Sequence, residues 1–195
     1  MDQHEKQGNL IVVSAPSGSG KTTLCKALLK HYPGLVYSIS TTTRKPRKGE
    51  KDGIDYHFMD KEAFIEKLKA NCWAEWARVH DNYYGTSAAF LDEELASGRD
   101  ILLDIDVQGM RQIIERYPDA VTIFIMPPSL QVLRERLERR GTDSEETIEK
   151  RMGNAAEEIS HKNLYRHVII NDQLETAIDE FIEIVGRYKN MRDKE

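Results

Sequence analysis

Short, mainly apolar runs recur along the chain at Leu10-Ile11-Val12-Val13, Leu35-Val36-Tyr37-Ser38-Ile39, Ile101-Leu102-Leu103, Val121-Thr122-Ile123-Phe124-Ile125 and Val168-Ile169-Ile170. They lack the polar alternation of half-exposed strands, so they predict five parallel strands covered on both faces. Helical stripes lie between or after them. Val107, Met110, Ile113, Ile114 and Tyr117 share one helical face; so do Ile148, Met152, Ala155 and Ile159, and again Leu174, Ala177, Ile178, Phe181, Ile182 and Val185. Strand and helix in alternation predict an α/β fold on a five-stranded parallel sheet.

Two stretches depart from the alternation. From Thr41 to about Ala89 the chain is polar and aromatic, with turn signals at Pro46, Gly49, Gly53 and Gly85, and predicts an inserted subdomain. From Ser129 to about Lys162 two helical patterns follow each other with no strand between. Ser129 is placed to cap the first, Gly141 lies just past its end, and a second starts near Asp143. A mobile lid and a fixed helical hairpin fit that pattern equally. The resulting organisation is one domain over residues 8–190. It has a core of 8–40, 97–128 and 163–190, an inserted subdomain of about 41–90 and a lid of about 129–162.

Composition narrows the class. A chain of 195 residues can bury a core without disulfide or metal staples, and 39% hydrophobic with 31% charged residues describes a soluble globular protein. A net charge of −5 argues against a nucleic-acid polymer as partner, so any bound anion needs a local basic cluster. Cys25 and Cys72 fit no metal-ligand spacing and read as free thiols. The polar stretch Met1–Gln7 and the lack of a long apolar run predict no signal peptide, no membrane span and a cytoplasmic location. The sequence does not choose between a monomer and a homo-oligomer.

Chemistry enters at Ala15-Pro16-Ser17-Gly18-Ser19-Gly20-Lys21-Thr22, which follows a strand and opens a helix, the context a phosphate-binding loop requires. Backbone N–H groups must turn inward and ring a phosphate, and Gly18 and Gly20 permit that approach. The helix N-terminus adds partial positive charge, Lys21 a full one toward the β- and γ-phosphates, and the Thr22 hydroxyl a ligand for Mg²⁺. Ala15 stands where the strict pattern has Gly, so the backbone there must be ordinary. These features imply a nucleoside triphosphate site, with Thr23 counted in it.

A GTP-binding switch would need an Asn-Lys-x-Asp sequence, which does not occur. A kinase for a small phosphorylated acceptor needs a second anion grip. Ser40-Thr41-Thr42-Thr43-Arg44-Lys45-Pro46-Arg47, with two arginines three apart beside hydroxyls, offers one; a solvated basic loop is the other reading of it.

The block from Ser40 through Glu50 to Tyr56 is followed by Glu75-Trp76-Ala77, Asn82-Tyr83-Tyr84-Gly85-Thr86 and Leu103-Asp104-Ile105-Asp106-Val107-Gln108-Gly109. Pro127-Pro128-Ser129, Arg136 to Thr142, Arg151 and Val168 to Asp172 come after these. In this order, over nearly the whole chain, these motifs resemble the guanylate kinase family. The resemblance implies a P-loop NTPase three-layer fold with an inserted GMP-binding subdomain and a helical lid. It implies transfer of the ATP γ-phosphoryl group to GMP, with dGMP as a second acceptor and Mg²⁺ as cofactor.

Matched position by position, the resemblance places Arg44, Arg47, Tyr56 and Tyr84 on the GMP phosphate and Ser40, Glu75, Thr86 and Asp106 at the nucleoside end, with Gly85 in the same site. A carboxylate such as Glu75 can accept from guanine N1–H and its N2 amine together, a pair that adenine does not offer. Asp104, just after an apolar strand, is where an acidic residue holds Mg²⁺ through water or orients a phosphate-binding residue; the second role is preferred, and it is counted with the GMP site. Asn171 is similar to the family position near the adenine. Arg136, Arg140 and Arg151 are expected to meet the migrating phosphoryl group alongside Lys21 and Arg44, although from sequence alone each is equally an exposed helical charge. Two other readings compete. A non-catalytic module of the same family, binding phosphorylated peptides, is opposed by the intact Lys21 and Thr22; a kinase for another phosphorylated acceptor is opposed by Glu75 and Ser40.

Overall fold

The computed structural model describes residues 7–79, 81–141 and 143–192; Met1–Lys6 of the polar N-terminus and Thr142 of the Arg136–Thr142 block lie outside them. The five apolar runs form β1 (Leu10–Ser14), β2 (Val36–Tyr37), β7 (Ile101–Asp104), β8 (Val121–Met126) and β9 (His167–Ile170). They make one sheet in the order β2-β7-β1-β8-β9, with β1 at its centre. The expected strand at Leu35–Ile39 shrinks to two residues, because it lies at the sheet edge, where Tyr37 is exposed rather than covered. The chain divides into two compact units, residues 11–34 with 121–195, and residues up to 10 with 35–120.

In the first of these units, β1, β8 and β9 pair in parallel, Val13 opposite Ile123 and Ile125 opposite Ile169. Mainly apolar, β1 and β8 are almost wholly buried, Ser14 and Thr122 included. The helices α1 (Lys21–His31) and α7 (Leu174–Arg192) pack together, and the Tyr32 hydroxyl donates to the Ile182 carbonyl at 3.2 Å. The buried stripe of α7 is Ala177, Phe181, Ile184 and Val185; Leu174, expected on it, is exposed in the first turn. α5 (Leu130–Arg140) starts where expected, the Ser129 side chain accepting from the Val132 N–H, and ends at Gly141. α6 (Glu145–Ser160) starts at the Ser144 cap, and a 3₁₀ turn (Lys162–Leu164) follows it. Leu133 and Leu137 of α5 bury themselves against Ile148, Met152 and Ala155 of α6.

In the other unit the polar and aromatic stretch forms a second sheet that its sequence did not announce. It is built from β3 (Thr41–Thr42), β4 (His57–Phe58), β5 (Trp73–Val79) and β6 (Asn82–Ser87) in the order β4-β3-β6-β5. β5 and β6 are an antiparallel hairpin, Trp76 opposite Gly85. α2 (Lys61–Lys69), capped by Asp60, contributes Phe64, which stacks on Trp73 at 4.3 Å between ring centres and on Tyr83 at 5.3 Å. This aromatic stack is the core of a sheet too short in β-branched residues to read as strands. α3 (Ala88–Ala96) and α4 (Val107–Arg116) complete the unit, the latter burying Val107, Met110 and Ile113 as its periodicity predicts. Among the described residues no helix is long and apolar enough to cross a membrane, and Cys25 and Cys72 are free thiols.

Candidate functional site

The phosphate loop leaves the carboxyl end of β1 and enters α1, whose N-terminus carries no side-chain cap and no acidic residue. The lack of an acidic residue suits an anion, since no side-chain charge there offsets the positive end of the helix dipole. Gly18 and Gly20 take φ of 100° and 92°, while the only non-glycine with positive φ among the described residues is Asn71, so Ala15 and Pro16 keep ordinary backbone as expected. Pro16 and Ser19 are buried, Ser17 is exposed, and the Pro16 carbonyl accepts from the Ser19 N–H at 3.0 Å. Lys21 is half-buried at the first position of α1, with the Thr22 and Thr23 side chains exposed beside it.

Asn171 closes the loop from behind. Its side chain, 5% exposed, donates to the Ser19 carbonyl at 2.7 Å. Its N–H donates to the Met126 carbonyl at the end of β8, and its own carbonyl accepts from Arg136 at 2.8 Å. A cavity of 360 Å³ opens here, lined by Gly18, Gly20, Thr23, Asn171 and Leu174 together with Arg136, Arg139 and Arg140. Arg151 reaches the same loop, donating to the Ser17 hydroxyl at 3.0 Å and pairing with Asp143 at 3.3 Å. The structure thus gathers the predicted triphosphate residues and the three predicted arginines of α5 and α6 in one unit.

The residues expected to form a second anion grip lie in the other unit. Arg44 makes a two-pronged contact with Glu50, at 3.0 and 2.8 Å, and Glu50 also accepts from the Arg47 N–H at 2.7 Å. The Arg44 guanidinium lies over the Tyr56 ring, 5.4 Å from its centre, and Tyr56 meets Tyr84 edge-on at 6.0 Å. The Arg44 guanidinium holds the Glu50 carboxyl below its ordinary range, and Glu50 in turn raises Arg44 above its own. Burial pushes the Tyr56 hydroxyl up, with Asp104 at the end of β7 adding to the effect. The Arg47 side chain is exposed, and Ser40 is half-buried with its carbonyl accepting from His57.

Glu75, on β5, is only 4% exposed. Its Oε1 accepts from the Thr86 hydroxyl at 2.6 Å across the β5–β6 hairpin, where the two residues lie opposite each other. Burial pushes its carboxyl up to about 7, against the Thr86 hydrogen bond, and the nearby Asp106 charge pushes the same way. Asp106 itself caps α4, accepting from the Gly109 N–H at 2.8 Å. A buried carboxylate with one oxygen occupied by a hydroxyl is suited to a ligand bearing adjacent N–H donors.

A family model for guanylate kinase matches residues 7–188. The chain belongs to the guanylate kinase family. It is 49% identical over 183 residues to the guanylate kinase of Carboxydothermus hydrogenoformans, covering 94% of this chain and 90% of that protein. Over 191 residues it is 46% identical to that of Aromatoleum aromaticum, with 96% and 94% covered. The crystal structure of guanylate kinase from Anaplasma phagocytophilum superposes with a TM-score of 0.75 at 35% identity, over 96% of this chain and 89% of that one. A gluconokinase from Sinorhizobium meliloti, at 17% identity and a TM-score of 0.51, shares the fold.

Reading the guanylate kinase motifs alone misses three residues that the structure brings in. Arg139, which the resemblance leaves without a role, lines the cavity with Arg136 and Arg140; the i, i+3, i+4 spacing of the three is the signal for it. Glu50, inside the quoted motif, compensates Arg44. Gln112, beyond the Asp106–Gly109 motif, holds the main chain of β5 through two hydrogen bonds to Trp76. Arg134, for which the resemblance implies nothing, ties α5 to Glu145 and Glu149 of α6. Among the described residues no group of three or more His, Cys, Asp or Glu is arranged to hold a metal. The hard oxygen of the exposed Thr22 hydroxyl is of the kind that Mg²⁺ takes as a ligand.

Proposed function

We propose that the chain transfers the γ-phosphoryl group of ATP to GMP, giving ADP and GDP, and that dGMP is a second acceptor. The buried Glu75 carboxylate carries this reading. It is the one feature of the acceptor half whose chemistry selects a base, since Glu75 can take N1–H and the N2 amine of guanine while adenine would leave it unpaired and buried at a cost of about 1–3 kcal/mol. Nothing in this reading addresses the sugar 2′ position, hence dGMP. Arg44, Arg47, Tyr56 and Tyr84 hold the acceptor phosphate, with Ser40 and Asp104 around them, and Thr86 and Asp106 set the base end. In this organisation residues 41–90 are the acceptor subdomain and 129–162 the lid of a single domain over 8–190.

An oxygen of the GMP phosphate attacks the γ-phosphorus; the bond from γ-phosphorus to the β–γ bridging oxygen breaks, and ADP leaves. The nucleophile is already an anion, so the chain supplies positioning and charge rather than a base. Lys21 and the loop N–H groups neutralise the ATP phosphates, and Asn171 keeps the loop in shape at Ser19. Arg136, Arg140 and Arg151 meet the charge of the migrating group, as arginine fingers in cis. Thr22 would hold Mg²⁺, which when bound spreads the charge developing on the β- and γ-oxygens.

ADP release with ATP and Mg²⁺, comparing GMP, AMP, CMP and UMP, tests the reading. Release with GMP and not with the other three is expected. Lys21→Ala should lower turnover on the order of 100-fold or more while GMP binding persists. Equal release with AMP would remove Glu75 as the base reader.

A further inference from the structure

β5 is an edge strand of the four-stranded sheet, so one side of its main chain has no strand neighbour. At Trp76 that side is taken by a side chain. Gln112 Nε2 donates to the Trp76 carbonyl at 2.7 Å and Gln112 Oε1 accepts from the Trp76 N–H at 3.1 Å. A primary amide used in this way reproduces the two bonds a paired residue of a neighbouring strand would make. One turn earlier on the same helix, α4 approaches the preceding residue of β5. A Cβ built on Gly109 would lie 2.6 Å from Glu75 Oε2 and 3.2 Å from its Cδ. The two carboxylate oxygens are therefore treated differently: Oε1 is held by Thr86, and Oε2 sits against the α4 main chain at Gly109, a position only glycine leaves room for.

Strand geometry links the contacts. Consecutive residues of β5 face opposite sides, so fixing the Trp76 main chain fixes the height and tilt at which Glu75 leaves the strand. We propose that Gln112 is a positioning residue for base selection: by clamping the Trp76 main chain it seats the Glu75 carboxylate between Thr86 and Gly109, where it presents its acceptor to the acceptor base. Gln112 touches no reacting atom. The inference rests on the reading of Glu75 as the guanine contact and adds the residue that orients it. Loss of the amide frees the β5 edge, lets the carboxylate turn toward water, and weakens the burial that holds its proton, with Asp106 the charge that faces it.

Steady-state rates with GMP and with IMP, which differ only in the N2 amine, test this on the full chain at saturating ATP and Mg²⁺, with ATP varied at saturating GMP for its own KM. Gln112→Ala should raise KM for GMP about tenfold, roughly the worth of one well-made hydrogen bond, and lower the GMP-over-IMP ratio of kcat/KM by a similar factor. Its kcat and its KM for ATP should stay within about twofold. The pH midpoint of kcat/KM for GMP, expected near 7 in the parent, should move down as Glu75 becomes solvated. Gln112→Glu, equal in size but lacking the donor, should raise KM for GMP and lower the GMP-over-IMP ratio in the same way, although its added negative charge opposes the fall in the pH midpoint, and it serves for those two readouts if the alanine variant does not fold. Glu75→Gln separates the two ideas. If Glu75→Gln lowers the GMP-over-IMP ratio and neither Gln112 variant does, the positioning role is overturned while the base reading stands. If Glu75→Gln leaves the ratio unchanged, the base reading falls and the positioning role with it.

Discussion

Glu75 concentrates the chemistry that a single residue can carry here. The folded chain holds its proton to about pH 7 because burial disfavours the charge, whereas an unfolded glutamate titrates near 4.5. Between those values the folded state binds more protons than the unfolded one, so this residue's contribution is fully present below about pH 4.5 and is lost as pH rises through 7, at most about 3 kcal/mol. Urea unfolding of the parent and of Glu75→Gln at pH 5 and pH 8 should show a smaller loss in the variant; equal losses would assign the titration elsewhere. On the proposed reading of Glu75 as the base contact, GMP binding runs the opposite way, because the acceptor form is the carboxylate, so kcat/KM for GMP should rise through the same interval. The residue itself was legible from the Glu75-Trp76-Ala77 motif. Its hydrogen bond to Thr86 and its seat against Gly109 were not, since the first depends on how β5 pairs with β6 and the second on how α4 packs against β5.

Among elements, the phosphate loop and α5 belong together more tightly than the sequence indicates. The loop, its glycines and the Ser129 cap were readable because each rests on local backbone chemistry within a few residues. That Leu133 and Leu137 of α5 pack under the loop was not, although both are buried. A Cβ on Gly18 would meet Leu133 Cδ1 at 2.9 Å and Leu137 Cδ2 at 3.0 Å, in addition to the cost of placing a side chain at φ 100°. Gly18→Ala is therefore expected to destabilise the chain by about 1–2 kcal/mol. It should also raise KM for ATP about tenfold or more, leaving KM for GMP within about twofold, since the acceptor residues lie elsewhere. Thermal melting and the two KM values check this. Unchanged KM for ATP would mean that the loop tolerates displacement of α5. Arg139 belongs to the same scale: its role on the cavity wall follows from its helical phase with Arg136 and Arg140, not from its own neighbours in sequence.

For the whole molecule, the residues proposed for the two substrates fall in different compact units, the triphosphate loop with Asn171 and the α5–α6 arginines in one, and Arg44, Tyr56, Glu75 and Thr86 in the other. Hydrogen exchange should reflect that division. GMP alone is expected to slow exchange in β3, β5, β6 and the first turns of α4, and a non-hydrolysable ATP analogue alone in residues 15–23 and around Asn171. Protection by GMP centred on residues 15–23 would refute the assignment. The alternation of apolar runs with helical stripes determined the fold class, and the motifs determined the family, because both are carried by short-range periodicity and by residue types that loops and caps demand locally. The order β2-β7-β1-β8-β9, the shortening of the edge strand at Val36–Tyr37 and the aromatic-cored second sheet were decided only in three dimensions. So were the clamp of Gln112 on Trp76 and that of Asn171 on Ser19. The physical reason is the same in each case: which strand pairs with which, and which buried group finds its partner, depends on tertiary contacts between residues from 9 to 152 positions apart, and no local pattern encodes these.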